Sequence, residues 1–561
     1  MNANRNAIAA CALCAVAGFQ SPATADTTPD RVRPLTLGVS PMLVDAAAEV
    51  WSVVARPGNP VWPGWDASDT PLLLYLPGRQ DLLVGHPHPP EGFRPYTGPL
   101  RFPGATMMVK DGPTLIAADG QNTAMDVAGA RTLVVADPLS NLRQNIGGLL
   151  EDPRPAAEKL RSLELENLAA DPYDQLALIV HEAFHVYQDR VAPDRGANEM
   201  LLLYYPVLSV ENNVGFGLEG AALARAIAAT DDATCRTEAV YWLAAREHRR
   251  ALLPARALQY EDGVEFSEGT AKYAEYRLFE VLEGRTPPPA LERAQGFHGY
   301  ADLSPERRAL LAQMRHHMDG DVNVNNAPYG AAPLRMRLYY SGMAIGVLLD
   351  RLSPGWQHDL IATDSSLTAL ARAAIHTTPA ELASAWEAQR ADTTYARRFA
   401  AKTRLAEDGR RQAATRLAAI EHGPGTGIVI DYSRLASNKV GLAFTPFGIT
   451  VIDSVRTIFD QVPISARFAD QSALEQGVAL PLLRDTHLRT LSCRLERTVT
   501  RAEIARLAGA GRLGGMAPAP VRLELPGVTL DLKRATLEWR DGTLTAVLHE
   551  APAGVMAPAA H

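Results

Sequence analysis

Three side chains in one short stretch have the types and spacing for metal chemistry. In LALIVHEAFHVYQDR, residues 176–190, His181 and His185 stand four apart, with Glu182 next to the first. On an α-helix, positions i and i+4 lie one above the other, so both imidazoles reach a single ion. Glu182 then lies beside that ion, where a carboxylate can take a proton from a polarised water. A catalytic ion held in this way needs a third protein ligand and keeps a fourth position for solvent. Glu268 in EFSEGTAKYAEY, residues 265–276, is the candidate. Its neighbours Phe266, Ala271 and Tyr273 predict a buried segment, where an unpaired carboxylate is costly. Glu265, one turn earlier, is the rival ligand.

HExxH followed downstream by a helix bearing EG-x-A-x-Y resembles the gluzincin branch of the zinc metallopeptidases. The resemblance covers residues 171–352. It implies a zincin-like fold, a bound Zn2+ held by His181, His185 and Glu268, and Glu182 as general base. It also implies a peptide or protein substrate. The interval from His185 to Glu268 is longer than in many gluzincins, and segments at 218–229 and 236–252 read as an inserted helical pair. An oxyanion donor is expected from a tyrosine or histidine, with Tyr340 and Tyr339, and His298 in GFHGY, as the candidates. Asp189, one turn after His185, is a candidate to orient that imidazole.

These residues need a particular scaffold. Asp171, Pro172 and Asp174 form a helix start: a cap, a proline at the first helical position and an acid in the first turn. The helix that follows is apolar nearly all round, which predicts burial. A second helix is expected over 257–283, with Gly269 placed for close approach to another helix. A third is expected over 334–352, where Ser341, Gly342, Ala344 and Gly346 permit tight packing. The predicted class is α+β and multidomain: a mainly α-helical zincin-like core between N- and C-terminal β-rich modules. Short apolar runs such as PLLLYL and TLVVA give a β-rich module over 26–140, and the helical domain spans 141–400. A charged, then glycine-rich linker is expected at 401–425, a second β-rich module at 426–550, and a disordered tail at 551–561.

The remaining signals mostly exclude. A formal charge of −8, from 55 basic and 63 acidic residues, gives no drive toward nucleic acid. Residues 1–25 read as an export signal with Arg5, an apolar run over 7–18, and Ala23-Thr24-Ala25 before the cut. The apolar run ahead of Cys11 is too short for a lipoprotein signal, and no other run approaches a membrane span. The mature chain is therefore expected to be secreted or periplasmic, with Cys235 and Cys493 either paired or as buried thiols. HPHPP at 86–90 is expected to be a rigid surface turn. DGDVNVNN at 319–326 lacks the glycine and glutamate of a calcium loop, and the GxGxxG letters at 509–514 follow a helix, so neither is taken as a site. Metal-assisted peptide hydrolysis is the expected activity. The alternative class is a cell-envelope binding or assembly protein that keeps a zincin-like fold without turnover. Glu182 discriminates between them, because a side chain that is not a ligand has no reason to persist without catalysis.

Overall fold

The computed structural model describes residues 38–151, 171–319, 331–444, 448–460, 462–509, 512–514, 516–517 and 520–550. The expected export signal and tail lie outside these residues, as do the calcium-like loop after Asp319 and part of the 509–514 stretch. Among the described residues the protein is mixed α/β, roughly half helical, with fifteen α-helices and three sheets. Strands occupy 72–136 and 427–548, with helices between. None of the described helices is long and apolar enough to cross a membrane.

The first sheet has the order β3-β4-β2-β1-β6-β5, with β1 at Leu72–Leu76, β2 at Gln80–Val84, β3 at Arg94–Pro95, β4 at Met107–Asp111, β5 at Thr123–Val127 and β6 at Ala130–Ala136. PLLLYL shows no alternation because β1 is buried on both faces. Leu72 and Leu74 join the main core, while Leu73 and Tyr75 join a smaller cluster with Leu83 and Val134. One helix lies in this region where strands alone were expected. Pro41–Val54, α1, starts with a proline and buries Leu43, Val44, Ala47, Val50, Trp51 and Val54, a helical period. A second, Pro138–Glu151, is α2.

The central helices are α3 (Pro172–Val191), α4 (Val210–Ala228), α5 (Asp232–Arg250), α6 (Ala255–Val264) and α7 (Thr270–Leu282). They continue through α8 (Pro289–Glu292), α9 (Ser304–Asp319) and α10 (Ala331–Leu352). The predicted start of α3 is present, with the Asp171 side chain accepting from Tyr173 N–H at 2.8 Å. Helices α4 and α5, at the place of the expected helical pair, pack on each other. α3 packs against α1, α7 and the edge of the first sheet, and α10 covers α7.

After three shorter helices (α11, Trp356–Ala362; α12, Leu367–Ile375; α13, Pro379–Ala391) comes α14, Thr393–His422. It replaces most of the expected 401–425 linker. Its alanines, arginines and glutamates are strong helix formers, Asp392 caps its start, and Ala406, Ala413 and Ile420 make one buried stripe. Charge there marks a solvated helix face, and the turn comes only at Gly423-Pro424-Gly425. The C-terminal strands then form an eight-stranded and a five-stranded sheet, most of whose buried apolar residues belong to the same core as the helices. Cys235 and Cys493 are free, buried thiols.

Candidate metal centre

Between Tyr173 and Asp189, α3 is buried except at Asp174, Leu178, Glu182, His185 and Asp189. These recur every three or four residues, so one stripe of an otherwise enclosed helix opens outward. His181 flanks that stripe and is 8% exposed. Opposite it the chain between α6 and α7 winds as a π turn, Glu265–Gly269, which carries Glu268. Gly269 sets how close this turn comes to α10, since a Cβ there would lie 2.7 Å from the Gly342 Cα. The close approach anticipated for Gly269 is therefore present, glycine against glycine.

His181 Nε2 and His185 Nε2 each lie 3.3 Å from Glu268 Oε2, and all three donor atoms fall within 4.8 Å of one another. Two metal–ligand bonds of about 2.0–2.1 Å at a tetrahedral angle place their donors about 3.3 Å apart, so these separations suit a zinc-sized ion. Each donor is held from behind. His181 Nδ1 lies 2.7 Å from Glu275 Oε1, whose other oxygen takes Lys272 Nζ at 2.9 Å. His185 Nδ1 lies 2.8 Å from Gln188 Oε1. Arg335 donates to Glu268 Oε1 at 2.7 Å and also pairs with Glu199. With acceptors behind both imidazoles, each Nδ1 carries a proton, and the neutral rings would turn Nε2 lone pairs toward Glu268. Three electron-rich atoms thus converge, an arrangement that a cation resolves.

Protons can serve as that cation, Nε2–H groups then donating to Glu268. Burial opposes a charged His181, yet hydrogen bonds to Glu268 and Glu275 outweigh it and lift its pKa to about 9. Burial likewise opposes ionisation of Glu268, but hydrogen bonds from His181 and His185 hold it far below the carboxylate range. Glu182 moves the other way: burial raises its pKa, the two imidazoles offsetting this in part. A carboxylate whose basicity is raised beside a cation site is suited to accept a proton.

Of the other sequence candidates, Glu265 is not a ligand. It is buried against Arg246 and Ser341, at the opposite side of the π turn. Arg246 comes from α5 and also holds Glu219 of α4 at 2.9 Å. This helical pair therefore buttresses the turn that carries Glu268. Tyr340 turns its hydroxyl to Gln313 and its ring to His317, whereas Tyr339 stacks on His181 at 6.0 Å, burial and the neighbouring Glu268 carboxylate raising its pKa. His298 is half-exposed near Glu306 and Tyr173, away from the three donors. Asp189 pairs with Arg131, leaving Gln188 to meet His185. His86, in the HPHPP stretch, bonds the Val127 carbonyl.

Glu275, Gln188, Lys272 and Arg335 were not singled out from the sequence. A faint signal existed for two. Glu275 lies two helical turns after Glu268, and Gln188 one turn after His185. No protein-family model matches the chain, and no curated protein or solved structure is detectably similar to it.

Proposed function

We propose that the protein is a zinc-dependent hydrolase of peptide bonds, acting outside the cytoplasm and built on a gluzincin-like plan. The observation that carries this reading is the convergence of His181 Nε2, His185 Nε2 and Glu268 Oε2 beside the accessible carboxylate of Glu182. A zinc ion held by those three side chains would supply Lewis acidity toward a substrate carbonyl and a water. Glu182 takes the proton from the attacking water and returns it to the leaving amine. Tyr339, beside Glu268, is placed to donate to the oxygen that becomes charged in the transition state. Glu275, Gln188 and Arg335 keep the donors in register.

The test compares purified full-length protein with Glu182→Gln for metal content and for cleavage of a broad peptide library. Stoichiometric zinc in both, with cleavage lost only in the variant, is expected. Zinc in both with no cleavage by either would favour a binding protein of the cell envelope. A folded, unchelated preparation that takes up no zinc would remove both readings.

A further inference from the structure

Gln188 is 5% exposed and makes four hydrogen bonds with one amide. Its Nε2 lies 2.9 Å from the carbonyls of Phe266 and Ser267 and 2.8 Å from Thr270 Oγ1. Thr270 Oγ1 donates its own proton to the Phe266 carbonyl, so it too can only accept from Gln188. Three acceptors on one side fix which way the amide points: its nitrogen faces the π turn and its oxygen faces His185 Nδ1. A π turn interrupts the i+4 pairing of an α-helix and leaves carbonyls in need of a donor. Here the donor comes from another helix.

From this geometry we infer that Gln188 is a positioning residue of the metal centre, coupling the tautomer of His185 to the π turn that carries Glu268. The inference rests on the metal reading above. Because the amide cannot flip without setting its oxygen against three acceptors, His185 keeps its proton on Nδ1, and Nε2 is the nitrogen left for a metal. The same side chain ties α3, which holds two donors, to the turn that holds the third. A hydrogen-bonding partner behind a metal-bound histidine typically changes metal affinity about ten- to a hundred-fold.

The experiment uses the full chain, stripped of metal and reloaded with Zn2+ or Co2+. Zinc affinity is measured by competition with a chromophoric chelator, and the donor geometry by the visible spectrum of the Co2+ form. Gln188→Met, which keeps length but neither donates nor accepts strongly, is expected to weaken zinc binding about ten- to a hundred-fold and alter the Co2+ spectrum. Gln188→Glu keeps the acceptor for His185 but sets its second oxygen against the acceptors of the turn, so it is expected to bind zinc more tightly than Gln188→Met while being less stable, a split that a purely structural role does not produce. Gln188→Met serves alone if Gln188→Glu does not fold. Wild-type affinity and an unchanged Co2+ spectrum in both variants would overturn the role of Gln188 while leaving the metal centre standing. No metal uptake by the wild-type protein would overturn the metal reading itself, and with it this inference.

Discussion

Asp81 lies on β2 without exposure, one carboxylate oxygen accepting from Leu115 N–H at 2.8 Å and the other without a partner. Burial raises its pKa to about 6, the Leu115 hydrogen bond and Lys110 opposing the shift. A carboxyl with a folded-state pKa above its unfolded value binds an extra proton in the native state between about pH 4 and 6. Stability therefore falls as pH rises through about 6, and the penalty is complete above it. Asp81→Asn should stabilise the protein by about 1–2 kcal/mol at pH 8 and by almost nothing near pH 4. Chemical denaturation at the two pH values measures this, and an equal gain at both would refute the assignment. At the metal centre, two adjacent tyrosines separate cleanly. Tyr339→Phe removes the hydroxyl beside Glu268 and should lower turnover about ten- to a thousand-fold with metal content unchanged. Tyr340→Phe, whose hydroxyl goes to Gln313, should leave both unaltered.

The elements around the centre are held by contacts that admit little change. Gly342→Ala would drive a Cβ to 2.7 Å from the Gly269 Cα and 2.8 Å from the Glu265 carbonyl, both backbone atoms that cannot swing aside. Separation of α10 from the π turn should cost about 1–3 kcal/mol and displace Glu268, so thermal stability and zinc affinity should fall together. Arg246→Met leaves Glu265 buried without a cation, while Glu219 keeps Arg249, a loss of about 3–5 kcal/mol in denaturant unfolding. The triple Arg246→Met/Glu219→Gln/Glu265→Gln should be milder, because no charge is stranded. How much of this was readable from the sequence follows from range. His181, Glu182 and His185 lie within one helical turn, and Glu268 sits next to a glycine in an apolar context, so local spacing reveals them. Glu275 meets His181 across 94 residues and Arg335 meets Glu268 across 67, and nothing local encodes such pairings. Two elements were misjudged for a different reason. In α1 the helical period lies among prolines and strands, and in α14 a charged helix face has the composition of a linker.

Across the whole molecule, most of the described buried apolar residues of α1, the first sheet, the central helices and both C-terminal sheets belong to one continuous cluster. Helix α14 runs from α4 to the strand Thr490–Arg494, and Arg494 donates to the Ile420 carbonyl near its end. Limited proteolysis should therefore fail to release residues 426–550 as a stable fragment, whereas a flexible connection at 401–425 would be cut early. A last consequence concerns chain length. Glu268 and Glu275 reach the same imidazole because two helical turns separate them, from the π turn into α7. Deleting one residue between them would rotate one by about 100° relative to the other, carrying one carboxylate out of reach of His181. The loop joining α4 to α5 also separates His185 from Glu268 in the chain, yet it can lengthen at small entropic cost. Insertions and deletions should thus be tolerated in the longer interval and excluded from the shorter one.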